Sequence, residues 1–492
     1  MSALNSLPYF HGTIDTRECR ELLPEMGDFL IRNHIKEMDK DSTVSSCVLT
    51  TAVTPDQASR ADKMVPSDYS LKKECTTRLK SFAITGDAGS FALQGTSETF
   101  PTVQALCESF IENKKDLPSG GVLKKGIPRM SWQLLLGDLQ FPASEDVLGN
   151  GSYGKVIKAK LMKKDGDPVD VAVKSTVEGN GDESITEMYK EARAMRRLIH
   201  PNIIRLEGVV VEKLPILLVI EFFDGSCLLG ALQKKKVTDV MRFPVICGIM
   251  YGLLYIHSQT YIHRDIAARN VMVSADFRNV KIIDFGLAKH GTRFILSATQ
   301  KIPVKWLAPE VLQTWTFSTK SDVWAFAVTC WEVYHDGAEP YSNVKNVKLK
   351  DNLKNRKGEM GQDTLQITEN LEHVPKGFDA IYGTMFCKNT RDRAEMSWVA
   401  TEMEKIFPNL PKPVFEEVRL HLERRPPIVS KLASPSNASH SKNLKKPLTP
   451  TGPKEIPAKN LKTTTRRRKK KPSGEGGAKD PKVVTLRRKK KG

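Results

Sequence analysis

Apolar positions in the first hundred residues recur with two different periods. Cys19, Leu22 and Leu23 fall at helical spacing over 16–23. Gly27-Asp28-Phe29-Leu30-Ile31-Arg32 then alternates as a strand, with Phe29 and Ile31 on one face and Leu30 and Arg32 on the other. Val48-Leu49, Phe82-Ala83-Ile84 and Gly89-Ser90-Phe91-Ala92-Leu93 suit further strands. Phe100 to Leu106 begins a closing helix with Thr102 as its cap. Pro118-Ser119-Gly120-Gly121 is a loop signal. Beyond it the pattern predicts a strand–turn–strand over Leu148 to Val156, an apolar strand over 171–173 ended by Lys174, a helix over 183–198 and a strand over Leu217 to Glu221. A long apolar helix is predicted over 240–258; it includes Pro244, which fits only within a first turn. From 426 onward there is no Phe, Trp or Tyr, and such a segment cannot bury enough apolar area to offset chain entropy. It is predicted to be disordered.

Composition changes this picture in one respect. Residues 426–492 hold 20 Lys and Arg against three acids (Glu455, Glu475 and Asp480), so that segment carries +17 of the chain's +19. The folded part is close to neutral. The eight cysteines form no C-x-x-C pair, which argues against a zinc site or a disulfide framework and for reduced thiols. No basic patch followed by an apolar run opens the chain, and apolar stretches such as 214–220 are too short to span a bilayer. Ser2 is not the glycine that N-myristoylation requires. These features predict a cytoplasmic protein.

Four motifs occur in a fixed order: Gly-Asn-Gly-Ser-Tyr-Gly-Lys-Val at 149–156, Val171-Ala172-Val173-Lys174, His263-Arg264-Asp265-Ile266-Ala267-Ala268-Arg269-Asn270 and Asp284-Phe285-Gly286. Glycines let a backbone approach phosphates without Cβ clashes. The strand character after Gly154 argues against a dinucleotide-binding turn, which would run into a helix. A lysine ending an apolar strand is costly unless paired, and Glu191 on the following helix is its expected partner.

Together the motifs resemble the protein-kinase signature set. The resemblance implies a bilobal kinase domain over 142–410 that uses ATP and Mg2+. Its ATP contacts would come from Leu148, Gly149, Asn150, Gly151, Ser152, Tyr153, Gly154, Lys155, Val156, Ala172, Lys174 and the backbone from Glu221 onward, with Ile220 behind the adenine. Lys174 held by Glu191 would position the phosphates, Asp265 would accept the substrate hydroxyl proton, and Asn270 and Asp284 would bind metal. Ala267 and Arg269 resemble the tyrosine-kinase version of the catalytic stretch, as does Ile302-Pro303-Val304-Lys305-Trp306. Protein tyrosine residues are therefore the expected substrates. Glu310 is expected to pair with Arg393, and Asp322 to brace the catalytic loop. Cys227 falls near the expected ribose position, as an inert thiol rather than a reactive one.

Residues 9–114 resemble an SH2 domain. The resemblance implies that Arg32 makes a bidentate contact to phosphotyrosine, which the domain would recognise on partner proteins. Thr16, Ser81 and Ala83 stand where the family places further phosphate donors, so binding would be weaker or assisted by the loop 53–78. Read alone, Arg32 is equally a strand-end arginine reaching solvent, and a packing module without phosphotyrosine binding stands beside the docking reading. The linker 115–141 carries Trp132, either a core aromatic or a clamp on the small lobe.

The whole is read as an α+β chain: SH2 domain, linker, kinase domain and disordered basic tail over 411–492. The order resembles Fes/Fer-type non-receptor tyrosine kinases. The segment from Asp284 to Glu310 departs from them, since it has no tyrosine and Phe294 takes the usual place. Phe294 packing, or phosphate on Thr292, Ser297 or Thr299, would order it. The tail has three readings: a solvated segment without partner, adhesion to an anionic membrane surface or other polyanions, and nuclear import or nucleic-acid contact. No aromatic interleaving supports strand stacking, and no sequence-specific nucleic acid is expected. The competing class is a catalytically weak or inactive scaffold recruiting partners through SH2 and tail.

Overall fold

The computed structural model describes residues 2–35, 45–54, 78–87, 89–144, 146–151, 154–163, 166–175, 182–212, 214–296, 303–355, 365–367 and 374–407. The basic tail and residues 55–77 of the loop 53–78 lie outside them, as do Ser152, Tyr153, Ser297 and Thr299.

Helix α1 (Thr16–Leu22) is capped by Asp15, whose side chain accepts from Glu18 N–H at 2.7 Å. Five strands follow: β1 (Asp28–Ile35), β2 (Ser45–Val53), β3 (Arg78–Asp87), β4 (Ser90–Leu93) and β5 (Lys125–Gly126). They form one sheet in the order β4–β3–β2–β1–β5. Helix α2 (Val103–Glu112) starts where its cap predicts, with Ala105 N–H donating to Thr102 Oγ1 at 3.0 Å.

The alternation in β1 sorts side chains between two cores. Phe29 and Ile31 join Leu49, Phe82, Leu93, Leu106 and Phe110 on the α2 side. Leu30 faces the other way, into a cluster with Cys19 and Leu22 of α1 and the Leu23 that caps it, and this cluster continues into the second half of the chain. The expected boundary at 114 therefore moves: β5 pairs parallel with β1 and belongs to the first sheet. A two-residue strand is too short for period-2 alternation to reveal it.

The second half begins with a sheet built on β6 (Val147–Gly151), β7 (Gly154–Leu161), β8 (Val169–Ser175), β9 (Leu206–Val210) and β10 (Leu217–Glu221). The linker contributes to it as well. Gln133–Leu134 pairs parallel with β9, and Leu139–Gln140 pairs antiparallel with β7. Helix α3 (Asp182–Arg197) packs on β9. Trp132 is a buried core aromatic that also links linker and small lobe: its carbonyl accepts from Val209 N–H at 2.7 Å, and the Arg196 guanidinium of α3 stacks 4.4 Å from its ring.

The larger lobe is centred on helix α4 (Asp239–Ser258). Length and composition would let this helix cross a membrane, contrary to the expectation that apolar stretches are too short; it is instead the mostly buried core helix of the lobe. Pro244 is its sixth residue, past the first turn where expectation put it. The carbonyl that loses its N–H partner belongs to Val240, which is exposed, so solvent reaches the break. Strands β11 (Val271–Ser274) and β12 (Val280–Ile282) pair antiparallel. Further on, β13 (Arg293–Ile295) pairs antiparallel with β14 (Thr316–Ser318), which leads into helix α5 (Thr319–Tyr334).

Candidate active site

Between the two lobes, β8 carries Lys174 and α3 carries Glu191. Lys174 Nζ donates to both Glu191 oxygens, at 2.9 and 2.8 Å, and both residues are buried. Burial holds the Glu191 carboxyl above its ordinary value, and the neighbouring Asp284 carboxylate adds to the rise while Lys174 opposes it. The pair is thus held by geometry against a large desolvation cost.

The catalytic stretch follows α4. Its backbone is fixed by Asp322 of α5: His263 N–H donates to one carboxylate oxygen at 2.7 Å and Arg264 N–H to the other at 2.8 Å. His257 Nε2 lies 3.1 Å from the same carboxylate. Arg264 sits at φ 71 and Asp284 at φ 63, a conformation that costs a non-glycine residue on the order of 1–3 kcal/mol. Surrounding contacts must hold both, and at Arg264 these include its backbone bond to Asp322 and its side-chain bond to the Leu287 carbonyl.

Asp265 is the centre of the cluster. Asn270 Nδ2 donates to Asp265 Oδ2 at 2.7 Å and to its carbonyl at 2.8 Å. Arg269 pairs with Asp265 Oδ1 and stacks 4.5 Å from the Trp306 ring. Gly286 N–H donates to Asp284 Oδ1 at 3.2 Å. The site therefore offers Asp284 carboxylate and Asn270 amide oxygens, a hard donor set that suits Mg2+ completed by water and phosphate oxygens. Among the described residues no cluster of three or more His, Cys, Asp or Glu could hold a metal by itself.

Above the cleft, β6 and β7 pair through Gly149↔Val156, Asn150↔Lys155 and Gly151↔Gly154. A Cβ added at Gly149 would meet nothing, so packing within the protein does not demand this glycine. Leu148 is exposed beside it. Ala172 lies opposite Ile220 across β8 and β10.

Glu221 begins the backbone run expected at the adenine edge. Its N–H donates to the Arg205 carbonyl at 3.0 Å and is unavailable to a nucleotide. Its carboxylate holds Lys281 Nζ at 2.8 Å and Arg205 N–H at 2.8 Å, lining a separate cavity of about 990 Å3. Cys227 Sγ lies 3.4 Å from the Arg269 carbonyl.

Two groups were missed by sequence reasoning. Glu332 is buried in α5 and accepts from Ala268 N–H at 2.9 Å and Trp306 Nε1–H at 3.0 Å. Burial raises its pKa. It ties the catalytic stretch to the Trp306 that stacks on Arg269. The available signal was an acid inside an apolar helix. Arg393 Nη1 and Nη2 bind the Glu310 oxygens at 2.6 and 2.8 Å.

In the first domain, Arg32 is buried rather than solvent-reaching. Its Nε donates to Thr50 Oγ1 at 3.1 Å and its Nη1 to the Ile14 carbonyl at 3.3 Å. Thr50 and Ser81 hydroxyls lie 2.9 Å apart, a polar chain leading away from Arg32 that includes the second missed group, Thr50.

The first domain also meets α3. Arg193 Nε donates to Glu18 Oε1 and its Nη2 to Asp15 Oδ2, both at 2.8 Å. Arg196 binds Glu18 Oε2 at 3.2 Å and Glu21 Oε2 at 3.1 Å, and Arg197 binds Glu21 at 3.3 Å. Tyr189 Oη donates to the Thr13 carbonyl, and Thr13 N–H donates to the Val211 carbonyl at 2.7 Å. A Cβ at Gly12 would lie 2.1 Å from Val211 O, so only glycine, at φ +61, permits this approach.

Comparison with known proteins agrees with this geometry. Residues 143–375 match the family described as protein tyrosine and serine/threonine kinase. Fer-related kinase 1 of Caenorhabditis elegans is 28% identical over 406 residues, 82% of this chain and 95% of that protein. The transforming protein Fps of avian sarcoma virus (strain PRCII), a tyrosine-protein kinase, is 30% identical over 352 residues, 70% of this chain and 58% of its own. Tyrosine-protein kinase Fer of Mus musculus is 30% identical over 355 residues, 70% of this chain and 38% of its own. The chain thus spans little more than half of the viral relative and less than half of the mouse one.

Proposed function

We propose that the chain is a protein tyrosine kinase related to Fer and Fps, which it resembles over most of its length, and that it transfers the γ-phosphoryl group of ATP to tyrosine side chains of proteins. The observation that carries this reading is the joint presence of the Lys174–Glu191 pair and the Asp265–Asn270–Arg269 cluster beside Asp284. Lys174 orients the nucleotide phosphates, and Glu191 keeps Lys174 in place. Asp265, its carboxylate aimed by Asn270 and Arg269, accepts the phenol proton as the tyrosine oxygen attacks. Asn270 and Asp284 would hold Mg2+, which when bound neutralises charge on the phosphates. Little covalent work falls to the protein, so positioning carries the rate.

Residues 9–126 act as an SH2 domain in this reading, with Arg32 receiving a phosphotyrosine phosphate. The acid–base contact with α3 supports a second role inside the chain: the domain braces the helix that presents Glu191. The protein works in the cytoplasm, and the basic tail attaches it to anionic surfaces.

The test is phosphotransfer from ATP–Mg to a tyrosine peptide pool and to a serine/threonine pool, with Asp265→Asn as control. Tyrosine labelling that falls about 10²–10⁴-fold in the variant is expected. Nucleotide binding without labelling of either pool would favour a scaffold. For the first domain, phosphotyrosine peptide binding that disappears in Arg32→Ala is expected; equal binding by both proteins would leave the bracing role alone.

A further inference from the structure

Residues 284–310 contain no tyrosine, so phosphate on a tyrosine cannot order this segment. The structure holds it in another way. In the β13–β14 ladder Phe294 and Phe317 stand directly opposite one another. The Arg264 guanidinium lies 4.4 Å from the Phe294 ring and 5.3 Å from the Phe317 ring, and Lys289 Nζ lies 5.5 Å from Phe294. Arg264 Nε donates to the Leu287 carbonyl. Its own backbone is fixed by Asp322, and it immediately precedes Asp265. Arg264 and Phe317 are both buried. One side chain therefore joins three parts: the catalytic stretch, the residues after Asp284-Phe285-Gly286, and the β13–β14 ladder.

We propose that Phe294 is a positioning residue whose ring, stacked on Arg264, latches residues 287–296 in the arrangement needed for phosphotransfer without any phosphate on the segment. A desolvated cation over an aromatic face is attracted by the ring quadrupole, and the strength grows as water is excluded. An aliphatic side chain of similar bulk fills the same space without that attraction. The latch is regulation of the proposed kinase site and rests on that reading. It makes the enzyme active as synthesised, with control arising elsewhere than on this segment.

The test uses the full chain, treated with a broad-specificity phosphatase before assay, as wild type, Phe294→Leu and Phe294→Tyr. Two measurements are made: steady-state phosphorylation of a tyrosine peptide, and amide hydrogen exchange over 285–296. Wild type is expected to keep its kcat after phosphatase treatment. Phe294→Leu should lose about tenfold in kcat, with KM for ATP unchanged, and should exchange faster over 287–296 at an unchanged unfolding temperature. Phe294→Tyr, which keeps the ring, should match wild type in both. Loss of wild-type activity on phosphatase treatment would overturn the latch and point to phosphate on Thr292, Ser297 or Thr299. A Leu variant equal to wild type in rate and exchange would overturn it as well. If no form transfers phosphate, the function reading fails while the exchange comparison still judges the latch.

Discussion

Helix α3 is held by charge on two sides, and the two sides are built differently. Toward the cleft it offers one carboxylate, Glu191, to one lysine, with both buried and the Glu191 pKa pushed up. Toward the first domain it offers three arginines, Arg193, Arg196 and Arg197, to Asp15, Glu18 and Glu21. The single pair is costly to keep: burial favours the neutral acid, so removing Lys174 lets Glu191 take a proton. In the shared network each arginine already in place lowers the ordering cost of the next bond, and planar guanidinium groups fork between carboxylates as lysine could not. The cleft side thus rests on a single desolvated pair, and the brace on a shared network.

The largest effect should come from breaking the cleft side. Lys174→Met is expected to reduce phosphotransfer by about 10²–10³-fold, while urea denaturation shows little change because Glu191 becomes protonated. A large stability loss would mean that the pair is structural. Breaking the brace should show the opposite balance. Glu18→Ala leaves Arg193 and Arg196 buried with their shared partner gone, and should cost about 3–5 kcal/mol in urea denaturation, with faster hydrogen exchange in α3. An unchanged stability would mean that the network contributes only specificity.

A third anchor lies just past α3, where His200 stacks on Tyr255 of α4 at 4.9 Å and accepts from Asn202 N–H at 3.1 Å. Burial lowers its pKa to about 4, with the Lys281 charge adding to the shift. Below pH 6.5 the unfolded chain gains a proton that the folded chain refuses until about pH 4, so stability falls as pH falls through that window. Between pH 6.5 and 5 this amounts to about 2 kcal/mol. His200→Gln should flatten that part of the stability–pH curve; an equal slope in both proteins would remove His200 from the account. Trp132→Leu removes the ring from Arg196 and should cost about 1 kcal/mol from the cation–ring contact, on top of the packing lost from a buried side chain, read as a shift in thermal unfolding.

Much of the cleft was legible in the sequence because its residues lie in short local runs. Lys174 at the end of an apolar strand asks for a partner, and Glu191 on the next helix is the nearest acid at a suitable place. Glu221 was less legible. The sequence places the backbone from Glu221 onward at the adenine edge, and only the fold shows that its N–H is taken by the Arg205 carbonyl. The partners of Glu332 and Thr50 were not legible, because each acts on a residue far away in the chain, and spacing along the chain carries no record of that; for Glu332 the only sign was an acid inside an apolar helix.

The sequence by itself determined the two hydrophobic periods, the order of the four motifs, the cap at Thr102, and the absence of a tyrosine between Asp284 and Glu310. These are local properties of the chain. Only the tertiary structure decided that Leu30 and α1 face α3, that the linker supplies strands to both sheets, that Gly12 must be glycine because Val211 lies against it, and that Phe294 stacks on Arg264. Each depends on bringing distant residues within contact range, and the free energy that selects those contacts comes from burying surface shared by both partners, which neither segment displays alone.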